Sequence, residues 1–124
     1  MPQAPRPRDP FVDHLMELMA PVAARVGPIT VRRMFGGHGL YYDGLMFGLV
    51  SGGRCYLKTD ARTRPAYEEA GCEPFRYRSR GRDITIGAYF AVPAQCLESP
   101  QEMSAWARAA MEATLRLANA PGAR

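Results

Sequence analysis

Apolar and polar positions change their period several times along the chain, and each change marks an element. Phe11, Leu15, Leu18, Val22 and Val26 recur at helical spacing, with Asp13 and Glu17 on a different face. Asp9-Pro10 offers a capping carboxylate and a first-turn proline, and Gly27-Pro28 ends the run, so a helix is predicted between them. Pro21 lies inside it and, lacking an N–H, is expected to kink or split it.

The period then shortens. Val31 to Leu49 reads V-R-R-M-F-G-G-H-G-L-Y-Y-D-G-L-M-F-G-L, two apolar runs about Asp43-Gly44. That dipeptide between hydrophobic segments predicts a β-hairpin with a type I′ turn. A first strand is drawn from Ile29 to Tyr42, with Gly36-Gly37-His38-Gly39 as a bulge within it, and a second from Leu45 to Val50. Ser51-Gly52-Gly53 turns the chain into a third strand, Arg54 to Thr59, where Cys55 and Leu57 alternate with Tyr56 and Lys58. Asp60 is expected to cap a short helix from Ala61 to Ala70, closed by Gly71. Strands at 74–79 and 84–92 flank the turn Arg80-Gly81-Arg82-Asp83.

Ser99-Pro100-Gln101-Glu102 is a capping box. The helix behind it carries Met103, Trp106, Ala110, Ala113 and Leu117 on one face, and Arg108–Glu112 and Glu112–Arg116 are spaced for surface ion pairs. Ala120-Pro121-Gly122 stops it. The order α-β-β-β-α-β-β-α predicts a two-layer α+β domain, an antiparallel sheet of about five strands with helices packed on one face. Residues 10–120 form this single domain. The proline- and arginine-rich residues 1–9 read as a disordered lead-in and residues 121–124 as a tail.

Composition narrows the class without naming a chemistry. The 124 residues are 47% apolar and 23% charged, ordinary for a soluble domain. No apolar run reaches membrane-spanning length and no signal peptide is evident, so a cytoplasmic protein away from membranes is expected. Cys55, Cys72 and Cys96 form no C-x-x-C pair and read as buried hydrophobes in a reducing compartment, not as disulfides or zinc ligands. The net charge of +4 is concentrated in residues 54–82, where eight basic residues face four acids. Such a patch draws acidic partners or phosphates, though it is short of a dedicated nucleic-acid binder.

No reactive centre is legible. The glycine run is followed by a strand and by no Gly-Lys-Ser/Thr, unlike a phosphate loop. His14 lacks the second histidine of a zinc-protease helix. His38 and Cys55 would make a nucleophile pair only with a third, orienting group, and none is apparent. No metal site or cofactor is expected. Arg76, Arg78, Arg80 and Arg82 alternate with Phe75 and Tyr77, so on one extended strand they share a face. The simplest reading turns the aromatics inward and the arginines to solvent. Together with Arg54 and Lys58 they are the candidate anion or nucleic-acid residues. Tyr41, Tyr42, Tyr56 and Tyr77 are the aromatics available for stacking on bases.

The helix before R-R-M-F-G-G-H-G-L-Y-Y-D-G-L-M-F-G-L, followed by R-C-Y-L-K-T-D, G-C-E-P-F-R-Y, A-Y-F-A-V-P and the W-A-R-A-A helix, resembles the N-terminal domain of TfoX/Sxy proteins. The likeness runs from Phe11 to Leu117. It implies a two-layer α/β domain with an antiparallel sheet, similar to secretion-chaperone-like folds, and a regulatory role without catalysis. Members regulate natural competence, acting with the cyclic-AMP receptor protein on DNA-uptake genes. Those regulators carry a second, C-terminal domain, so this chain is expected to be a stand-alone first domain. The residues it transfers are Arg33, Met34, Phe35, Gly36, Gly37, Gly39, Lys58 and Phe75, mostly architectural. Arg33 and Lys58 are expected to form ion pairs with Asp60 or Asp43.

Three functional readings follow. The first is a non-enzymatic regulatory or interaction module that meets another protein, by resemblance the transcription machinery, through its sheet face or an edge. The second is nucleic-acid binding by the basic patch of residues 54–82. The third is an enzyme or small-ligand site around His38. A homodimer formed through an exposed strand is compatible with the first.

Overall fold

Asp9 Oδ1 accepts the Phe11 amide at 2.9 Å, and Pro10 opens α1 (Pro10–Val26). The computed structural model describes residues 9–34 and 36–121. Apart from Asp9, the expected lead-in lies outside the described residues, as do Phe35 and, from the tail, residues 122–124. α1 runs through Pro21 without the expected split. Pro21 is exposed, while Val12, Leu15, Leu18, Met19 and Val22 are buried along the same helix. Packing on both sides of the proline outweighs the one backbone bond it removes.

Six strands follow: β1 (Ile29–Met34), β2 (Gly37–Tyr42), β3 (Leu45–Ser51), β4 (Arg54–Lys58), β5 (Pro74–Ser79) and β6 (Arg82–Ala91). They form one antiparallel sheet in the order β1-β2-β3-β4-β6-β5. The α+β class is as expected, with one difference inside it. The stretch from Ile29 to Tyr42 is two strands, because the chain reverses between Met34 and Gly37. The glycines make a turn, not a bulge. Gly36 takes a φ of +79°, and a Cβ on Gly37 would stand 2.2 Å from the Val50 carbonyl oxygen. Only a residue without a side chain fits there. The bulge lies further on, between Leu40 and Tyr41, and leaves Phe47 as the extra residue of β3.

The predicted Asp43-Gly44 turn has φ values of +52° and +77°, as type I′ demands. Arg80-Gly81 repeats the pattern at +51° and +75°. α2 is shorter than expected (Arg64–Glu69), because Asp60 accepts the amides of Arg62 and Thr63 and holds a turn before it. A short 3-10 helix, Ala94–Leu97, precedes α3 (Pro100–Asn119), which Ser99 Oγ caps through the Glu102 amide at 3.2 Å.

Register assigns the two sheet faces. Val31, Leu40, Gly48, Leu57 and Phe90 lie in one row across five strands, and Leu40, Leu57 and Phe90 join α1, α2 and α3 in a single core. The small residues Ala107, Ala110 and Ala113 let α3 lie close on that layer, and all are buried. The neighbouring row, Arg32, Gly39, Leu49, Tyr56 and Ala91, faces the other way. Of the two ion pairs the spacing predicted, Arg108 meets Glu112 at 3.7 Å, while the salt bridge of Arg116 lies elsewhere. Arg116 reaches Asp60 in a bidentate pair at 2.6 and 3.1 Å, tying α3 to the turn after β4. The Arg116 guanidinium and the amides of Thr63 and Arg62 hold the Asp60 carboxyl down at about 2, against the partial cost of its burial.

Two predictions follow from this packing. Gly37→Ala should cost about 3 kcal/mol, because its methyl meets backbone that cannot step aside. Gly36→Ala should cost only about 1 kcal/mol, the strain of a left-handed φ in open space. Urea denaturation of the two variants tests that order. The second concerns acid. Asp60 has a folded pKa below its ordinary 3.8, so its contribution is complete above pH about 4 and is lost as pH falls towards about 2. Asp60→Asn should therefore be less stable than wild type at neutral pH, with the gap closing across that window.

Candidate functional site

On the side of the sheet away from the helices, where Leu49 of the outward row lies, is a groove of about 510 Å³. Met34, Leu49, Phe75 and Tyr77 supply most of its apolar wall, with Ser51, Ser79, His38 and Arg78 among the polar groups at its margin. In a flat sheet of this order, β1 and β5 would lie about 24 Å apart, five spacings of about 4.8 Å. That residues of both strands line one groove means the sheet curls and the β5–β6 hairpin leans across the helix-free face.

The lean has a local cause. Pro74 pairs with Phe90 but Phe75 pairs with Ile86, so three residues of β6, Gly87-Ala88-Tyr89, have no counterpart on β5. Thr59 uses that excess, donating its amide and its hydroxyl to the Ala88 carbonyl at 2.7 and 3.1 Å. The far half of the hairpin is thus released from β4. Phase changes with it: Phe75 packs edge-on against Tyr56 at 4.9 Å and stacks on Tyr77 at 5.8 Å, on the helix-free side. Alternation along β5 alone predicts these aromatics in the core. Tyr77 is instead 43% exposed.

Arg76 and Arg78 share the opposite side of β5, and both are exposed. The series is interrupted at Arg80, which occupies the left-handed turn, and Arg82 opens β6. Arg78 meets Asp83 at 3.4 Å in a pair whose side chains are 70% and 74% exposed, too solvated to contribute much. Lys58 stands apart from them with its ammonium 6.0 Å from the Tyr89 ring, and Arg54 lies exposed at the other end of β4. The six candidate basic residues are therefore an arginine-tipped hairpin and two separate cations, not one continuous patch.

The resemblance-derived residues divide similarly. Met34, Gly37 and Phe75 line the groove. Gly39 is buried beneath it, where a Cβ would crowd the Tyr41 ring edge and the Met34 and Met46 sulfurs at 2.8–3.0 Å. Gly36 sits in the turn beside it, and Phe35 lies outside the described residues. Arg33 is exposed on β1, and its neighbour Arg32 lies 5.1 Å over Tyr41. The ion pairs expected for Arg33 and Lys58 are not formed with Asp60, whose partner is Arg116.

His38 and Cys55 do not make a nucleophile pair. Both pair with Val50, from opposite sides, so they are two strand spacings apart, about 10 Å, with Val50 between them. Burial, reinforced by Cys96, pushes the Cys55 thiol up to about 12. Burial pushes Cys96 to about 12 as well and raises Cys72. All three are free thiols, and burial disfavours the thiolate of each. Burial, with the three cysteines as lesser contributors, pushes the Tyr67 phenol up. His14 is occupied structurally, its Nε2 lying 2.8 Å from the Leu97 carbonyl. Among the described residues no cluster of three metal-ligating side chains occurs, and no helix is long and apolar enough to cross a membrane.

Sequence reasoning missed Leu49 as a groove residue, although the unbroken apolar run Leu45–Val50 signalled a strand with apolar side chains on both faces. It missed the Asp60–Arg116 pair altogether. A separation of 56 positions leaves no local trace.

Residues 22–114 match the model of the TfoX N-terminal domain. Over 101 residues the chain is 32% identical to DNA transformation protein TfoX1 of Aliivibrio fischeri, an alignment that covers 82% of this chain and 48% of that protein. The chain thus spans about half the length of the curated relative it matches. With the six-stranded sheet and its glycine-built turn in place, the chain belongs to the TfoX N-terminal domain family.

Proposed function

We propose that the chain is a regulatory interaction module, not an enzyme, which meets a protein partner in the cytoplasm through the groove on its helix-free sheet face. The observation that carries this reading is the groove itself: an apolar floor with half-exposed aromatics, under a hairpin that is not sealed onto it. A surface of that kind is retained at a cost in solvation, and partner binding is its ordinary use. The muted thiols and the separation of His38 from Cys55 agree with a role that needs no reaction. The A. fischeri relative is a DNA transformation protein by name, so control of DNA-uptake genes, through contact with the transcription machinery, is the setting we assign.

A second reading has one specific observation in its favour, the four exposed arginines on the β5–β6 hairpin. They would contact phosphates, with bases stacking on Tyr77. Affinity for DNA would then fall by nearly one power of salt concentration for each phosphate contacted, and replacing Arg76, Arg78, Arg80 and Arg82 by glutamine would abolish it.

Complementation decides the first reading. In a strain lacking the chain, wild type should restore the transcript profile of the DNA-uptake genes. Tyr77→Glu, made at an exposed site and checked for an unchanged circular-dichroism spectrum, should not. Equal restoration by the variant would remove the groove from the mechanism, and an unaltered profile on deletion would remove the regulatory role.

A further inference from the structure

We propose that the free edge of β5 accepts an extended segment of a partner in which acidic and aliphatic residues alternate, adding a seventh strand to the sheet. The proposal rests on the interaction-module reading and names the partner's chemistry. Among the described residues β5 ends the strand order and pairs with β6 alone, so one side of its backbone is a template for a further strand.

The existing neighbour shows what such a strand must look like. β6 sets Asp83 opposite Arg78 and Thr85 opposite Arg76 on one side of the hairpin, and Ile84 opposite Tyr77 and Ile86 opposite Phe75 on the other. Its run Asp83-Ile84-Thr85-Ile86 is an alternation of polar and aliphatic residues matched to β5. A segment on the open side meets the same two rows. Carboxylates at alternate positions face the exposed Arg76 and Arg78, of which Arg78 already makes long, exposed contacts to Asp83 and to the Gly81 carbonyl, each at 3.4 Å. Aliphatic residues at the others lie beside Phe75 and Tyr77 and extend the apolar wall of the groove, covering the 43% of Tyr77 now in water.

The same rows reject the commonest wrong occupant. If two copies of this chain met antiparallel through β5, their arginine rows would stand opposite each other, and like charges directly across a strand pair are destabilising. Arginine on an edge generally blunts association. Here it blunts association with neutral and basic strands while leaving the edge open to an acidic one.

The test uses the full chain and a fluorescein-labelled peptide in which aspartate and isoleucine alternate. Two control peptides accompany it: one of the same composition with the aspartates in a block, and one with lysine in place of aspartate. Anisotropy should show binding of the alternating acidic peptide at least about tenfold tighter than either control. Arg76→Glu combined with Arg78→Glu, at exposed positions, should reverse the preference towards the lysine peptide. Hydrogen exchange should slow at β5 amides on peptide binding. Equal binding of the block peptide, an unreversed preference in the double variant, or unprotected β5 amides would each overturn strand addition. So would tighter binding of an oligothymidylate, or a dimer of the chain alone in sedimentation. Failure here with groove-dependent complementation intact leaves the module reading standing and discards only the acidic strand.

Discussion

A six-stranded sheet has two faces, and this one has helices for only one of them. α1, α2 and α3 close over Leu40, Leu57 and Phe90, where the hydrophobic driving force is concentrated. The opposite row still carries Leu49, Tyr56 and Tyr89, and Tyr56 and Tyr89 are each only 7% exposed. Their cover comes from within the sheet. Phe75 lies against Tyr56, and the Tyr89 hydroxyl donates to the Met46 carbonyl at 3.5 Å. Curling the sheet and leaning one hairpin over it thus replaces a missing layer, and the replacement is incomplete where Tyr77 protrudes.

That arrangement separates structural chemistry from surface chemistry. Cys55 and Cys96 lie in the helical core, where desolvation keeps thiols neutral. The shortest ion pair among the described residues, Arg116 with Asp60, sits at the junction of α3 and the turn after β4, with the Asp60 side chain only 10% exposed. Neither is part of the groove. The groove offers shape, apolar area and polar margins. On the reading proposed above, these are the means of recognition.

What the sequence disclosed followed from local rules. Asp9-Pro10, Asp43-Gly44 and the Ser99 capping box specify backbone within a few residues, and each is found as its chemistry demands. Gly36-Gly37 was ambiguous for a physical reason. Glycine serves both bulges and turns, and the choice is made by the Val50 carbonyl, which belongs to another strand. Phe75 and Tyr77 were placed on the wrong side because alternation gives relative, not absolute, facing. The register break opposite Gly87-Ala88-Tyr89 sets the absolute sense, and nothing in β5 itself encodes it. The single patch expected from Arg54 to Arg82 dissolved likewise, since Arg80 went into a turn and Lys58 to a tyrosine ring.

The arginines of the hairpin remain to be accounted for energetically. Net charge concentrated on one arm raises self-repulsion and lowers stability modestly, so a positive cluster held only by long, exposed contacts from Arg78 to Asp83 and the Gly81 carbonyl among the described residues needs some other reason. Folding supplies little here: the Arg78–Asp83 pair is screened, and the turn at Arg80-Gly81 would be served better by Asn-Gly. Placing arginine in a left-handed conformation adds a small strain that a purely structural turn would avoid. Protection of an edge would be met by one or two charges of either sign. On the interaction reading proposed above, four of one sign beside an exposed tyrosine and an unfinished apolar wall would make the hairpin selective, and selectivity has meaning only towards a partner.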